Sequence, residues 1–525
     1  MDKSQERLVV VSNRLPFVFK RESDKDGAAK WHVDPGSGGL ITALVPVLKK
    51  HGGTWIGWPG TAEPDAELEQ AMETAGENLG YELKSVNLTE ADIHNFYHGF
   101  SNEIVWPLFH DLQTVCNFEP AYWRTYCEVN RKFASAIAAN TRSGDFVWVH
   151  DYHLINTASE LKAMGCNVRT GFFLHIPFPS MDLFSKLPWC KQLLEAMLQF
   201  DLIGFQTVHD RRNFEQCARA MTEGLEFEGH GKVVTASVQG REVAVGTFPI
   251  SIDFNAFMTS AAAPQVRKKA HELRDILADR TLVLGVDRLD YTKGIPHRLK
   301  AFHQLLVRNP QLREKISLIQ VVVPSRQNIP EYDALKTQID QLVGRINGEF
   351  ARPGGWVPVW YVYDSLTTTE LLAYYRAADI ALVTPLRDGM NLVAKEYCAS
   401  SIDEERVLIL SEFAGAAAQL RDDALLVNPY DIDGVADALR QAVEMSPEEK
   451  RTRMRGLRRS IRKHDVYRWV DSFMAARPAQ AVPAPVLSLV PALGRIQPEP
   501  GVIANLPAAL VSGAAAYKLA LRDAL

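Results

Sequence analysis

The chain of 525 residues is 46% hydrophobic and 23% charged, with a net charge of −5. That is too long for one comfortable core, so two large domains are expected, and the mild acidity without a long basic block argues against a nucleic-acid partner. No apolar run reaches membrane-span length, and the six cysteines stand singly with no CxxC pair, which argues against a membrane partner, a zinc site or a disulfide framework and for a reduced, cytoplasmic setting.

The opening MDKSQERLVVVSNR carries charges of both signs and enters a strand at once, unlike a secretory signal. Short buried strands are predicted at Leu8–Ser12, Phe146–Val149, Val168–Leu174 and Asp201–Gln206, with helical patterns between them, such as Tyr122–Ala139. The rhythm resumes at Thr281–Val286, Ile316–Val323, Asp379–Thr384, Val407–Ser411 and Ala424–Asn428. Strands alternating with helices build parallel sheets from βαβ units. Two such series predict an α/β fold of two Rossmann-like, doubly wound domains facing each other across a cleft. The junction is placed near Phe248–Asp253, giving domains 1–248 and 249–476. The remainder, 477–525, is proline-rich without a period and reads as an extended or disordered tail, in which Leu510–Leu525 suits a short helix.

Polar residues gather where the predicted strands end. After the first strand, Arg14 suits a phosphate or a structural carboxylate, and Gly36-Ser37-Gly38-Gly39 opens a helix at Ile41–Lys50. Glycines there let backbone approach a phosphate, although most such turns bind nothing. In FYHGFSNEIVWPLFH, Tyr97 and Trp106 are core aromatics or the lining of a sugar site. Asp151, within HDYH, and His175, within FFLHIPFP, fall at strand ends, where α/β sheets bind ligands; His175, between an apolar strand and two prolines, is either a satisfied core histidine or a hydrogen-bonding partner for a sugar hydroxyl or a reacting-centre carbonyl. The HDYH spacing offers no third metal ligand. In DRLDYTKG, Arg288 and Lys293 can both reach a diphosphate or can pair with their neighbouring aspartates, and Arg326 adds a cation after the next strand.

The stretch TPLRDGMNLVAKEYCAS, Thr384–Ser400, reads as strand, glycine turn and helix. Its free amides and positive helix end are aimed at an anion. Asp388 stands at the mouth of the turn, and Glu396 is expected about two turns into the helix, at the far end of an extended ligand. Amides for a diphosphate and carboxylates for hydroxyls suit a nucleotide-sugar; an ordinary α/β turn with solvated carboxylates explains the stretch equally well. No GxSxG elbow and no GxxxxGK[ST] loop occur, which disfavours a hydrolase and a P-loop phosphotransferase.

Together the strings VVSNRLP, SGGLITAL, GWPG, FYHGFSNEIVWPLFH, WVHDYHL, FFLHIPFP, DRLDYTKG, PSR, GRING, TPLRDGMNLVAKEY, LSEFAGAA and VNPYD resemble, in order, the trehalose-6-phosphate synthase family of retaining GT-B glycosyltransferases. The resemblance covers about Leu8 to Trp469. It implies transfer of glucose from UDP-glucose to glucose 6-phosphate, with no cofactor and no metal. It places the acceptor at Arg14, Tyr97, Trp106, Asp151 and Arg326. The donor falls at Gly38, Gly39, His175, Arg288, Lys293, Asp388, Gly389, Met390, Asn391, Leu392, Val393 and Glu396. His175, Arg288, Lys293 and Asp388 would serve the reaction itself. A glucosylglycerol-phosphate synthase, taking glycerol 3-phosphate, is the alternative; a non-catalytic sugar-phosphate-binding relative would be expected to lose donor-site groups that are present here. No DxDGT-type phosphatase motif follows, so a separate phosphatase is expected to act on the product. The sequence leaves a homo-oligomer open.

Overall fold

The computed structural model describes residues 6–23, 29–36, 39–62, 65–277, 280–325, 330–352 and 355–478. The expectations for 479–525, for Gly38 and for Arg326 lie outside the described residues.

In chain order the strands of the first half are β1 Leu8–Arg14, β2 Phe17–Ser23, β3 Ala29–Pro35, β4 Thr54–Trp58, β5 Glu82–Ser85, β6 Phe146–His150, β7 Arg169–Phe173, β8 Leu202–Phe205, β9 Glu226–Glu228, β10 Val233–Val238 and β11 Arg241–Thr247. Those of the second half are β12 Thr281–Arg288, β13 Ile316–Val323, β14 Val359–Tyr363, β15 Ile380–Val383, β16 Val407–Ser411 and β17 Leu425–Val427. Among the described residues, nine strands form one sheet in the order β5-β4-β1-β6-β7-β8-β11-β10-β9, and six form another in the order β14-β13-β12-β15-β16-β17. The first is parallel from β5 to β11, with β10 and β9 antiparallel at its edge. The second is parallel throughout. β2 and β3 form a separate hairpin.

Each half is doubly wound. The chain lays down β1, β4 and β5 in one direction, then returns to start β6 on the other side of β1. It does the same with β12, β13 and β14 before starting β15 beside β12. The order of strands therefore reverses between β1 and β6 and between β12 and β15, and ligands of such sheets bind at that point, outside the carboxyl ends.

The central strands are unbroken apolar runs because helices cover both faces. Leu8 and Val10 of β1 join the same core as Phe146 and Trp148 of β6, while Val9 and Val11 join Val147 and Val149 on the opposite face. The first of these cores continues through Phe248, Ile250 and Ile252 to Leu282 and Leu284 of β12. The helix Val466–Met474 seals it by lying back on the first sheet. Phe473 stacks on Trp148 with centroids 4.4 Å apart and planes at 10°. Gly171 and Gly204, on neighbouring strands, leave the slot for that ring; a Cβ would come within 2.9 Å and 2.6 Å of it.

All nine predicted strands form, as β1, β6, β7, β8, β12, β13, β15, β16 and β17. Others were not anticipated, among them β4, β5, β14 and the β9–β11 run. A further surprise is FYHGFSNEIV: Ile93–Val105 winds as a wide-turned π-helix, a form usually confined to single turns at functional sites.

Candidate active site

The second sheet's switch point carries two loops tied together by one buried arginine. Arg298 sits in the helix Ile295–Arg308 and is 1% exposed. It donates to Asp287 Oδ2 (2.5 Å) at the end of β12, to Gln320 Oε1 (3.2 Å) on β13 and to Thr384 Oγ1 (3.1 Å) just past β15. Removing it would strand the Asp287 carboxylate in the core, so the brace is hard to replace. It fixes the loop bearing Arg288 and Lys293 against the loop bearing Asp388.

Those loops meet directly: Lys293 Nζ lies 2.6 Å from Asp388 Oδ2, with both side chains largely shielded. Burial is the largest single influence and works to raise the Asp388 carboxyl, but the Lys293 ammonium together with His110 and the Met390 amide holds the group below its usual range. Asp388 also accepts from Asn391 Nδ2 (3.3 Å) and the Met390 amide (3.4 Å). Arg288, at the end of β12, is exposed.

The helix Leu392–Ser400 begins here. Asn391, at φ 73°, caps it by accepting from the Ala394 amide at 3.3 Å. The amides of Leu392 and Val393 have no partner within the helix and form its positive end. Glu396 is the fifth helical residue, roughly 6 Å along the axis from Leu392, a little over one turn where about two were expected. The structured helix starts at Leu392, later than the apolar pattern suggested. Burial raises the Glu396 carboxyl, and the Tyr375 hydroxyl, donating to Oε2 at 2.8 Å, opposes that in part.

The first sheet faces this site closely. A Cβ on Gly389 would stand 2.0 Å from the His175 carbonyl oxygen, and one on Gly415 would stand 1.9 Å from the Gly389 carbonyl oxygen. Three backbone segments are thus layered with no side chain between them. Gly39, first residue of the helix Gly39–His51, packs likewise on Leu392, its Cβ position 2.7 Å from Leu392 Cδ1. Arg387 reaches Asp111 at 3.6 Å from the opposite half.

His175 follows β7, and its amide donates to Asp151 Oδ1 at 3.2 Å. Asp151 itself adopts φ 74°, a conformation that costs energy for a non-glycine residue and recurs at binding sites. The His175 ring touches His150 Nδ1 through Nε2 (3.0 Å) and Gln206 Nε2 through Nδ1 (3.4 Å). Burial depresses His175 to about 3.

At the end of β1, the exposed Arg14 guanidinium lies 4.3 Å over the Trp58 ring and 5.8 Å from the Tyr97 ring. Tyr97 in turn stacks on His153 at 6.0 Å and 13°. Aromatic faces hold the arginine by cation–π attraction without spending its donors on a carboxylate. Trp106 is buried, 5.9 Å from Tyr152 and 4.2 Å from His110. His110 accepts no place in the sequence reading, yet it lies close enough to Asp290, Lys293 and Asp388 to feel their charges; burial is the larger influence and lowers it to about 4.

The structure therefore gathers Gly39, His175, Lys293 and Asp388 to Val393 at one contact, with Glu396 along the helix, and sets Arg14 with Tyr97 at the other switch point. Sequence reading missed Trp58, His110 and Arg298. Arg298 left a signal: it falls at i+3 on the apolar stripe Ile295, Leu299, Phe302, Leu306, where a solvated arginine does not belong. Among the described residues no three His, Cys, Asp or Glu side chains group as a metal site, and all six cysteines are free.

Two doubly wound sheets whose switch points oppose each other, one with cations and a helix N-terminus, define the GT-B class of glycosyltransferase. The profile of Glycosyltransferase family 20 matches residues 6–477. A trehalose-6-phosphate synthase from Mycobacterium avium is 42% identical over 473 residues, 89% of this chain and 94% of that one; the Mycolicibacterium smegmatis enzyme of the same name is 43% identical, covering 89% and 92%. A Burkholderia xenovorans α,α-trehalose-phosphate synthase (UDP-forming), solved with glucose-6-phosphate, superposes with a TM-score of 0.79 at 35% identity over 89% of this chain and 99% of its own. An E. coli structure bound with UDP-2-fluoro glucose gives 0.78 at 36%, covering 89% and 98%. The chain belongs to glycosyltransferase family 20.

Proposed function

We propose that this chain transfers glucose from UDP-glucose to glucose 6-phosphate with retention, giving α,α-trehalose 6-phosphate and UDP. The observation that supports the reading is Lys293, Asp388 and the helix N-terminus at Leu392 on one half, packed through Gly389 on the His175 carbonyl of the other, where Arg14 is held over Trp58 at the end of β1. The donor diphosphate lies between Arg288, Lys293 and the amides of Leu392 and Val393, where fixed charges stabilise the negative charge that grows as the glycosidic bond loosens. Asp388 accepts a glucose hydroxyl, Glu396 takes the ribose hydroxyls, and His175 orients the donor sugar; Gly38 and Gly39 admit backbone beside the donor. Arg14, Tyr97, Trp106, Asp151 and Arg326 serve the acceptor and its phosphate. The C1–oxygen bond to the diphosphate breaks as the acceptor hydroxyl bonds to C1 from the same face, and its proton passes to a diphosphate oxygen. That route calls for no metal or cofactor.

The reading extends to a cytoplasmic protein whose product goes to a separate phosphatase. Among the described residues no helix is long and apolar enough to cross a membrane.

The decisive experiment is UDP release from UDP-glucose with glucose 6-phosphate and glycerol 3-phosphate as parallel acceptors. Release with glucose 6-phosphate alone is expected. Release with glycerol 3-phosphate alone would keep the donor site and overturn the acceptor assignment; release with neither would leave a binding protein.

A further inference from the structure

The His175 ring is held by a chain of hydrogen bonds that crosses from one half to the other, and its geometry fixes where the protons lie. Gln206 follows β8, is 2% exposed, and its Oε1 accepts the Ile250 amide at 2.9 Å. A backbone N–H can only donate, so this contact assigns the carboxamide: the oxygen faces Ile250 and the NH₂ faces His175 Nδ1 at 3.4 Å. Nδ1 must then be the accepting nitrogen. The neutral ring carries its proton on Nε2 and gives it to His150 Nδ1 at 3.0 Å. Phe173 and Trp469 pack on the ring at 4.7 Å and 6.2 Å. His150 Nε2, fully buried beside Trp148, has no hydrogen-bond partner among the described residues.

The other end of the chain reaches the donor side. Ile250 lies on the segment joining the two sheets, and its carbonyl accepts from Lys395 Nζ at 2.7 Å. Lys395 is fully buried on the helix Leu392–Ser400, one residue before Glu396. The links therefore run Lys395, Ile250, Gln206, His175, His150, with the donor-side helix at one end and the histidine pair at the other.

We infer that Gln206 is a positioning residue for glucosyl transfer, one that locks His175 in the Nε2–H tautomer. Nδ1 is then taken up by the Gln206 amide and Nε2–H by His150, so the ring stands fixed with both nitrogens engaged. It orients the donor and supplies no proton to the leaving diphosphate. This inference rests on the proposed role of His175, so its test needs a readout separate from turnover.

That readout is the ¹⁵N spectrum of the full chain labelled at the histidine ring nitrogens, with the His175 signals identified by their loss in His175→Asn. The native chain is expected to show an unprotonated Nδ1 and a protonated Nε2 for His175. Gln206→Glu keeps the shape and the bond from Ile250 but sets an acceptor against Nδ1, so that nitrogen is expected to become protonated. Both Gln206→Glu and Gln206→Leu are expected to lower kcat by about tenfold or more, with KM for glucose 6-phosphate within about twofold of native. A protonated Nδ1 in the native chain overturns the tautomer lock. Native kcat in Gln206→Glu, with Nδ1 protonated, overturns the positioning role while leaving the tautomer assignment standing. If Gln206→Leu fails to fold, the native spectrum and Gln206→Glu still decide. Absence of UDP release by the native chain would instead defeat the functional reading and leave the spectrum to judge the lock.

Discussion

At the scale of single residues, the site spends charge where a diphosphate would develop it and spends nothing where backbones must meet. Lys293 is held on Asp388, and Arg288 is exposed at the end of β12. Arg288→Ala or Lys293→Ala is expected to lower turnover about a hundredfold or more, since each removes one preorganised stabiliser of the leaving group; initial-rate assays on the purified variants check it, and near-native rates in either would remove that residue from the mechanism. Gly389 makes the opposite kind of demand. A methyl group 2.0 Å from the His175 carbonyl cannot be accommodated without moving one loop. Gly389→Ala should therefore cost about 1–3 kcal/mol in packing, the usual scale of overpacking, and weaken UDP-glucose binding in a calorimetric titration. A variant that binds the donor as tightly as the native chain would mean the two loops separate freely. Neither demand is hidden in the sequence: cations and glycines at strand ends announce themselves. Gln206 does not, because it looks like the end of a strand, and Arg298 shows only as an arginine on an apolar stripe, with no hint of the partners it braces. Their roles exist only once β7 and β8 stand side by side in one sheet and β13, β12 and β15 in the other.

At the scale of elements, the helix Leu392–Ser400 answers to two masters. Its amino end carries the free amides proposed for the diphosphate, and its Lys395 is buried against the Ile250 carbonyl. Burial lowers Lys395 from 10.5 to about 7. A lysine depressed in the fold gives up its proton more readily there than in the unfolded chain, so between about pH 7 and 10.5 the unfolded state holds more protons. Stability relative to Lys395→Met should thus rise with pH across that window and stay level below it; paired urea titrations measure the difference, and a level difference from pH 7 to 10 would show the ammonium is not penalised. The sequence exposed this helix through its spacing and its glycine turn, and misjudged its first turn because Asn391 caps it in a left-handed conformation. It exposed the central strands because burial on both faces leaves no polar residue to interrupt them. β4 stayed hidden because TWIGW is short and broken by glycine. The antiparallel edge β9–β11 stayed hidden because strands there no longer alternate with helices.

At the scale of the molecule, the halves share one core and one clasp. Leu8 and Leu284 belong to the same buried cluster, and the returning helix Val466–Met474 binds the crossing segment through Trp469 Nε1 to the Phe248 carbonyl (3.1 Å) and the Val466 amide to the Ile252 carbonyl (3.0 Å). Every one of these contacts is complete by Pro478, and the family match ends at residue 477. A chain cut after Pro478 is expected to keep its melting temperature and its turnover; a fall of several degrees would assign the later residues a structural part. The clasp also returns the chain to its beginning. Arg169 pairs with Glu6 at 2.9 Å, and Arg477 comes within 3.8 Å of the same carboxylate, beside the amino ends of β1 and β7, whereas the site lies past their carboxyl ends. The catalytic unit is in effect a closed loop with its seam at the back. A tether fixed at Glu6 or at Arg477 would hold the enzyme on a support with the cleft turned outward, and a short linker across the seam would let new ends be opened elsewhere.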